Sequence, residues 1–305
     1  MEEAIIEIKG LQKSFGGFQA VKDVNFTVKK GDVFGFLGPN GAGKSTTMRC
    51  MLSLIMPNAG QIRLFGKDLI NERNAILSRV GSIVEKPDFY KYLSALKNLE
   101  LFARISGADV QRKTILETLD FVGLAGREND KVSGFSHGMR QRLGIAQTLM
   151  HQPELIVLDE PTTGLDPQGI IEVRDLILRL KNEQGKTVIL SSHQLSEIEL
   201  VANRMVIIHK GETLIEGSVS ELMNTQQTLL HLEFLDAKST EAAAFIAKLW
   251  PGQDIQITSP KTLQLQIEKS RIAILNQNLV GAGFEIVAIE PKRKLEDFFI
   301  QITKS

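Results

Sequence analysis

Residues 38–45, with the sequence GPNGAGKS, constrain the fold of this chain more strongly than any other segment. They match the pattern G-x-x-x-x-G-K-[ST], which binds phosphate when it links a strand to a helix. The apolar run 33–37 precedes the motif, and a helical pattern that includes Met48 and Met51 follows it. Backbone N–H groups of such a loop, together with the positive end of the helix, surround phosphate oxygens. The sequence therefore predicts a phosphate-binding loop in an α/β fold.

This loop supplies most of the candidate nucleotide-binding residues. Lys44 is expected to bridge the β- and γ-phosphates of ATP, and the Ser45 hydroxyl is expected to bind Mg²⁺. The glycines let the main chain approach phosphate without intervening side chains. The alternative is a glycine-rich turn without a ligand. The candidate residues are Gly38, Pro39, Asn40, Gly41, Ala42, Gly43, Lys44, Ser45 and Thr46.

Two carboxylates follow a second apolar run. Residues 155–158 read LIVL, and Asp159 and Glu160 come directly after them. At the carboxyl edge of a parallel sheet, Asp159 would hold the Mg²⁺ shell and Glu160 would polarise an attacking water. Taken alone, Asp-Glu after an apolar strand is more typical of an ordinary strand leaving the core. Together with the phosphate loop, the pair predicts Glu160 as a catalytic residue and Asp159 as a metal ligand beside Ser45.

Hydrophobic periodicity indicates a covered parallel sheet with an insert. The apolar runs 155–158, 188–190 and 205–208 are separated by helical patterns, which is typical of a parallel sheet with helices on its faces. Between about residues 86 and 150 the pattern is helical throughout, which predicts an insert in this α/β core. The predicted first domain is 1–225.

A second domain is predicted at 226–305. Its pattern reads β-α-β-β-α-β, the order of a small α+β ferredoxin-like module. A short helix at 295–302 is predicted to follow the last strand. Regulation, dimerisation and ligand binding all remain open as roles for this module.

Composition narrows the functional classes. Lys and Arg together number 36, and so do Asp and Glu, so no net charge points to nucleic acid or anionic lipid. Cys50 is the only cysteine, which fits a reducing compartment. No apolar run approaches the roughly 20 residues that span a bilayer, and the acidic start MEEAIIEIKG argues against a signal peptide. We expect a soluble protein, for which any role at a membrane would come through a partner.

Four further features, in their order along the chain, resemble the ABC (ATP-binding cassette) ATPases. Residues 135–142, FSHGMRQR, resemble the family signature LSGGQ with its basic continuation, and residues 164–167, GLDP, resemble the D-loop. His193 follows an apolar run, where the family has its switch histidine. Phe15 is placed like the aromatic residue that stacks on adenine. The resemblance covers residues 1–220.

The resemblance implies an ABC cassette, a P-loop NTPase with a RecA-like core, that hydrolyses ATP with Mg²⁺. It implies a head-to-tail homodimer in the ATP-bound state, in which Ser136 and Gly138 contact the nucleotide of the other copy. Asp166 would join that nucleotide site, and His193 would sense the γ-phosphate. The implied partner is a separate transmembrane permease subunit, with this chain peripheral on the cytoplasmic face of the cell membrane. Helix capping is the alternative for Ser136, a structural histidine for His193 and simple packing for Phe15.

Two departures from the common family pattern carry information. His137 and Met139 stand where the usual signature has glycine and glutamine, and Glu85 stands where the family usually has the glutamine of the Q-loop. These variants resemble the ATPases of the bacitracin- and lantibiotic-resistance exporter subgroup. Glutamate at position 85 would add negative charge near Mg²⁺, which makes it a candidate metal ligand. The alternative is a solvent-exposed loop glutamate.

The leading functional hypothesis is an ATP-hydrolysing subunit that powers a membrane transporter, and the subgroup resemblance favours an exporter. The alternative is a soluble ABC ATPase acting on ribosomes or DNA. A single cassette, the lack of heptad repeats and the balanced charge favour the first hypothesis, and no nucleic-acid partner is expected.

Both tyrosines of the chain lie in residues 87–93, PDFYKYL, between Glu85 and the helical insert. Such closely spaced aromatic residues cannot all face one core, so some should be exposed. We predict that Tyr90 and Tyr92 form part of a docking groove for a cytoplasmic helix of the membrane partner. The alternative is that Phe89 and Leu93 only anchor the insert to the core.

Overall fold

The computed structural model describes residues 3–223 and 227–292. The chain separates into two compact units, Met1–Val219 and Ser220–Ser305. The predicted domain boundary, between residues 225 and 226, lies a few residues beyond this division. The helix predicted at 295–302 lies outside the described residues. In the described part of the chain, no helix combines the length and the apolar composition needed to cross a membrane.

The first unit is built on a sheet of ten strands among the described residues. They are β1 (Ala4–Phe15), β2 (Phe18–Lys29), β3 (Val33–Leu37), β4 (Ala59–Leu64), β5 (Lys67–Asp68), β6 (Val80–Ile83), β7 (Leu155–Leu158), β8 (Thr187–Ser192), β9 (Arg204–His209) and β10 (Glu212–Ser218). They lie in the order β5-β4-β1-β2-β10-β9-β3-β8-β7-β6. Strands β9, β3, β8, β7 and β6 run parallel, as predicted, whereas β1, β2, β4 and β5 pair antiparallel.

Helices accompany this sheet and form the insert. In the described residues they are α1 (Lys44–Met51), α2 (Arg73–Leu77), α3 (Ala95–Ile105), α4 (Arg112–Phe121), α5 (His137–Leu149), α6 (Pro167–Asn182), α7 (Leu195–Val201) and α8 (Val219–Met223). The insert between β6 and β7 contains α3, α4 and α5, with a 3₁₀ turn at Val132–Gly134. Ser94, Ser136 and Asp166 cap α3, α5 and α6, because each side chain accepts a hydrogen bond from the N–H three residues later.

The central strand is buried at every position, which anchors the loop that follows it. All five residues of β3 are inaccessible to solvent. The Phe26 ring lies 5.6 Å from the Phe34 ring and 5.1 Å from the Phe36 ring, measured between centroids. Burial of each aromatic side chain stabilises the fold by about 1.5–3 kcal/mol. The end of β3, and with it the phosphate loop, is therefore held firmly at the sheet edge.

Among the described residues, the second unit begins within α8 and contains a four-stranded antiparallel sheet and two further α-helices. The elements are β11 (Gln227–Phe234), α9 (Ser239–Leu249), β12 (Ile255–Ser259), β13 (Thr262–Glu268), α10 (Ile272–Gly281) and β14 (Ile286–Lys292). The sheet order is β12-β13-β11-β14. Alternate residues of β11, namely Leu230, Leu232 and Phe234, are buried in the core of this unit. The elements follow the predicted order β-α-β-β-α-β.

Candidate functional site

The predicted site residues of the core meet at the carboxyl edge of the parallel strands. Residues 38–43 follow β3, Asp159 and Glu160 follow β7, and His193 follows β8. Glu85 lies two residues beyond β6. Because β3, β8, β7 and β6 are consecutive neighbours in the sheet, their ends place these residues side by side. Ligands of open α/β sheets bind at this edge.

The backbone of the phosphate loop requires glycine at position 43. Gly43 has φ of +102°, and a Cβ atom there would lie 2.7 Å from the carbonyl oxygen of Ala20. No side chain caps α1 in the described structure, so its first N–H groups are available to an anion. The loop and the start of α1 therefore fit a phosphate group.

Lys44 is buried at the start of α1 and turned back onto the loop. Its Nζ donates hydrogen bonds to the carbonyl oxygens of Gly38, at 2.8 Å, and Pro39, at 3.2 Å. Burial lowers the pKa of the Lys44 ammonium below its ordinary value, and the charge of Glu160 opposes that shift. The Nζ atom lies 3.5 Å from Oε1 of Glu160, so the loop cation and the predicted catalytic carboxylate share one site.

Glu160 is held by several contacts, although its backbone conformation is unfavourable for a non-glycine residue. Its φ of +47° is in the left-handed region, where a non-glycine residue is strained by about 1–3 kcal/mol. The N–H of Glu160 donates to Oγ of Ser191 at 2.8 Å, and Thr163 Oγ1 donates to its Oε2 at 3.0 Å. Nδ1 of His193 lies 3.5 Å from Oε1 and has no well-aligned hydrogen-bond partner among the described residues. Strain of this kind is frequent at functional sites.

The surroundings of Glu160 favour its ionised form. Burial alone raises the pKa of this carboxyl, but the Thr163 hydrogen bond and the nearby Lys44 and His193 together lower it below the ordinary value. Glu160 is therefore a carboxylate at neutral pH, which is the state required of a group that accepts a proton from water.

Ser191 links the two carboxylate residues, a role that sequence reasoning missed. The side chain is fully buried on β8, and its Oγ donates to Oδ1 of Asp159 at 2.5 Å while accepting the N–H of Glu160. A serine in a strand carries no signal of its own. Only the placement of β8 beside β7 reveals this contact.

The oxygen atoms around the carboxylates fit Mg²⁺. A cavity of about 290 Å³ is lined by Ser45, Glu85, Lys86, His137, Gln141, Asp159, Glu160 and Thr163. Hydroxyl and carboxylate oxygens are ligands that Mg²⁺ prefers, and the ion is usually completed by substrate phosphates and water. Ser45 and Asp159 are suited to such a site, with Glu85 at its margin.

Glu85 is exposed and paired with a residue that sequence reasoning had not considered. Its carboxylate forms an ion pair with Arg49 of α1, and its φ is +79°. An exposed ion pair of this kind is worth about 0–1 kcal/mol, too little to explain why a strained backbone is kept. Glu85 also lines the cavity described above, and its role as a metal ligand stays a prediction beside that of a solvent-exposed loop glutamate.

Glu85→Gln is expected to retain ATP hydrolysis but to require more Mg²⁺. The amide keeps the length of the side chain and removes one negative charge, so we expect the half-maximal Mg²⁺ concentration to rise roughly threefold or more. An Mg²⁺ titration of ATPase activity measures this. Glu72→Gln is the matched control, because Glu72 forms a comparably exposed ion pair, with Lys67, outside the cavity. An unchanged Mg²⁺ dependence in Glu85→Gln would identify Glu85 as an exposed loop glutamate only.

Two aromatic residues at the β1–β2 turn differ in their relation to the phosphate loop. Phe15 and Phe18 are cross-strand partners, 48% and 66% exposed. Phe18 lines a cavity of about 290 Å³ together with Lys44, Ser45 and their neighbours, whereas the described lining does not include Phe15. The Lys13 ammonium lies 5.0 Å from the centroid of the Phe15 ring. Phe18 is thus a second candidate for contact with a nucleotide base. Its position across the same turn as Phe15 is the feature of the sequence that could have identified it.

Ser136, Gly138 and Asp166 lie at the starts of α5 and α6. Ser136 and Asp166 are exposed caps of α5 and α6, and Gly138 is buried in the first turn of α5. Within the described residues, no hydrogen bond or ion pair joins these three residues to residues 38–46. Their predicted contact with the nucleotide of a second copy of the chain stays a prediction.

Comparison with known proteins places this geometry in context. Residues 21–163 match the family model described as ABC transporter. The bacitracin transport ATP-binding protein BcrA of Bacillus licheniformis is 40% identical over 299 residues, which cover 98% of this chain and 97% of that protein. The lantibiotic transport ATP-binding protein SrtF of Streptococcus pyogenes is 42% identical over 228 residues, covering 73% and 97%.

Solved structures show the same cassette fold. The ADP conformation of MJ1267, an ATP-binding cassette of an ABC transporter, aligns with a TM-score of 0.66 at 26% identity, covering 72% of this chain and 92% of that one. The cassette MJ0796, in a dimeric post-hydrolysis state bound to ADP and Pi, aligns with a TM-score of 0.63 at 27% identity, covering 70% and 98%.

Proposed function

The chain belongs to the ABC transporter family as an ATP-binding cassette that powers transport by ATP hydrolysis, and we propose that it serves an exporter through a separate transmembrane permease subunit. The observation that carries the catalytic part is the meeting of Lys44, Glu160 and His193 at one sheet edge, with both neighbours 3.5 Å from the Glu160 carboxylate. The bacitracin and lantibiotic transport relatives support the choice of an exporter. A position on the cytoplasmic face of the cell membrane follows from this proposal.

In the proposed reaction, each group of the site has one task. Lys44 leaves the loop carbonyls for the β- and γ-phosphates, which its buried position brings within reach. Glu160 orients the attacking water and accepts its proton, while Thr163 donates to its carboxylate and Ser191 accepts its backbone N–H. Mg²⁺ bound by Ser45 and Asp159 would neutralise charge on the phosphate oxygens. His193 donates toward the γ-phosphate from beside Glu160.

The nucleotide site is proposed to be completed by a second copy of the chain. Ser136 caps the 13-residue helix α5, whose N-terminal N–H groups and dipole attract an anion. Gly138 and Asp166 lie close to this helix start and to the start of α6. In a head-to-tail homodimer these residues would cover the γ-phosphate held by the partner. The dimeric state described for MJ0796 supports this arrangement.

A role on ribosomes or DNA has less support. The relatives reported above are transport ATP-binding proteins, and the chain carries no excess of basic residues. A nucleic-acid ATPase would be expected to present a basic surface for the phosphate backbone. We therefore retain the transport proposal alone.

The permease is proposed to dock where Tyr90 and Tyr92 are exposed. These side chains are 44% and 69% exposed, and their rings meet edge to face at 6.0 Å. Phe89 is buried against Phe102, so the anchoring alternative holds for Phe89. The fully buried side chain of Asn98 bonds to both the N–H and the carbonyl of Tyr90, which presents the tyrosines rigidly.

An open groove of about 710 Å³ adjoins this segment, and its described lining includes Phe89 and Lys91 but neither Tyr90 nor Tyr92. It is lined by Glu85, Lys86, Pro87, Asp88, Phe89, Lys91, Val132, His137 and Arg140. Its mixed charges and apolar floor suit an amphipathic cytoplasmic helix, whose apolar side would lie in the groove. The same groove reaches Glu85 at the metal cavity, so a docked helix would be coupled to the nucleotide site.

The tagged chain is expected to co-purify from bacterial membranes with a multispanning membrane protein and without nucleic acid. Tyr90→Ala with Tyr92→Ala should reduce the recovered partner roughly tenfold, because exposed aromatic residues are frequent binding hot spots. Nucleotide binding, measured by titration, should not change. Leu116→Ala removes a comparably exposed apolar side chain of α4 and serves as the control. Unchanged partner recovery in the double variant would place docking elsewhere, whereas recovery of nucleic acid would contradict the transport proposal.

The second unit is proposed to be a ferredoxin-like accessory module. The support is its element order combined with the antiparallel sheet order β12-β13-β11-β14, in which each helix connects two strands that are separated by a third strand. Its buried face is apolar and formed by alternate strand residues together with Ala242, Ile246, Leu275 and Leu279 of the two helices.

A further inference from the structure

His137 contacts the loop at residues 164–166, far from it in sequence. Nδ1 of His137 lies 3.0 Å from the carbonyl oxygen of Gly164. A carbonyl oxygen only accepts hydrogen bonds, so Nδ1 carries the proton and donates. Both the Nδ1-protonated neutral ring and the imidazolium can form this bond. His137 is the first residue of α5 and is half-buried, so the contact ties the start of that helix to the loop that leads into α6.

The imidazole also packs against the backbone of Gly164. This glycine has φ of +77°, and a Cβ atom there would lie 3.3 Å from Cε1 and 3.5 Å from Nδ1 of His137. A second close approach involves the next residue of α5, where a Cβ atom on Gly138 would lie 3.8 Å from Cα of Gly169. Contacts at two successive residues of α5 therefore join its start to the loop before α6 and to the first turn of α6.

These joined helix starts carry the residues proposed to reach the partner's nucleotide. Ser136 precedes His137 and caps α5, and Asp166 follows Gly164 by two residues and caps α6. Glycine, the common residue of the family at position 137, has no side chain that could donate to Gly164. The histidine of this chain thus adds a side-chain hydrogen bond at the two helix starts, beyond the ion pair that joins Arg142 of α5 to Glu172 of α6 further along the helices.

We propose that His137 is a positioning residue that sets the distance between Ser136 and Asp166, so that both reach the nucleotide of the partner copy together. This inference rests on the proposed function, because it assigns a task within the composite site. The benefit is preorganisation: groups already held in the productive arrangement do not have to be ordered during the reaction. His137 acts through Gly164 and needs no contact with the reacting atoms.

A matched pair of substitutions tests the hydrogen bond. In His137→Asn, the side-chain Nδ2–H can replace the Nδ1–H donor, whereas His137→Leu keeps apolar bulk and has no donor. We expect kcat for ATP hydrolysis to fall about tenfold in the leucine variant and to stay within about twofold of wild type in the asparagine variant. KM should change little in either variant, because the phosphate loop and Lys44 are untouched.

Hydrogen exchange supplies a readout that does not depend on catalysis. The N–H of Leu165 bonds to the carbonyl of Thr162 at 3.2 Å, so exchange across residues 162–166 reports the order of this loop. In the nucleotide-free chain, we expect His137→Leu to accelerate this exchange severalfold and His137→Asn to leave it unchanged. Melting temperatures of both variants equal to that of the wild-type chain would show that the global fold is retained.

The outcomes separate this inference from the proposed function. Wild-type kcat and unchanged loop exchange in His137→Leu would overturn the positioning role, and so would equal losses in the leucine and asparagine variants. If the wild-type chain does not hydrolyse ATP, the proposed function fails, and the exchange measurement still decides whether His137 orders the loop. Turnover that is retained in His137→Asn and lost in His137→Leu supports the inference.

Discussion

Replacing Glu160 with glutamine is expected to reduce steady-state ATP hydrolysis by about 10²–10⁴-fold, the usual contribution of a positioned general base. The amide preserves the shape of the side chain and its hydrogen bond with Thr163, but it cannot accept a proton from water. ATP binding should persist, because Lys44 and the N–H groups of the loop, which bind phosphate, are unchanged. The variant should therefore accumulate as an ATP-bound dimer, which size-exclusion chromatography with radiolabelled ATP detects.

The control for this experiment is Glu154→Gln. Glu154 is an exposed carboxylate paired with Arg79, so its loss tests the effect of removing a negative charge outside the nucleotide site. We expect this control to hydrolyse ATP at the wild-type rate and to show no stable dimer. Hydrolysis by Glu160→Gln at the wild-type rate would remove Glu160 from the role of base. Loss of ATP binding would instead show that the charge of Glu160 is needed to position Lys44.

Mixing two inactive variants is expected to restore activity. Lys44→Ala removes the buried phosphate-binding ammonium, and Ser136→Arg blocks the start of α5, so each variant alone should lose turnover at least about 100-fold. In a head-to-tail dimer of the two, one composite site is intact and the other carries both lesions. An equimolar mixture should recover roughly a quarter of the wild-type rate, since half of the dimers are mixed and each holds one intact site.

The cap role of Ser136 requires its own control. Loss of an N-cap costs about 1 kcal/mol, which could weaken α5 without any effect on a partner site. Ser94→Arg removes the cap of α3 in the same way, and it should retain ATP hydrolysis. Absence of recovery in the mixture, after subunit exchange has been proven by energy transfer between labelled chains, would contradict composite sites that act independently.

Several features could be predicted because they depend on residues close together in the chain. The strand, glycine-rich turn and helix around residues 33–51 follow from an apolar run, from glycines that allow positive φ and from the helical spacing of the apolar residues after them. The strand at Leu155–Leu158 with its two terminal carboxylates follows from the same local logic. The pattern of apolar residues likewise allowed the element order of the second unit to be predicted from its sequence, and these residues form the core of that unit.

Other predictions concern contacts that only a second polypeptide can provide. The roles of Ser136, Gly138 and Asp166 in the partner's site remain predictions, because one chain shows them as the starts of two helices. The docking of a permease at Tyr90 and Tyr92 also remains a prediction, although their exposure is what it requires. The proposed experiments address these roles directly.

The sequence by itself determined the glycine-rich turn between strand and helix, the two carboxylates after a buried strand and the alternation of strands and helices, because each depends on local backbone preferences and side-chain periodicity. Only the tertiary structure decided that Ser191 bridges to Asp159, that Arg49 pairs with Glu85 and that His137 donates to Gly164. These contacts depend on which strands are neighbours and how helix starts meet. Strand order and helix packing come from burying apolar faces of the whole unit together, and no local pattern of residues encodes that outcome.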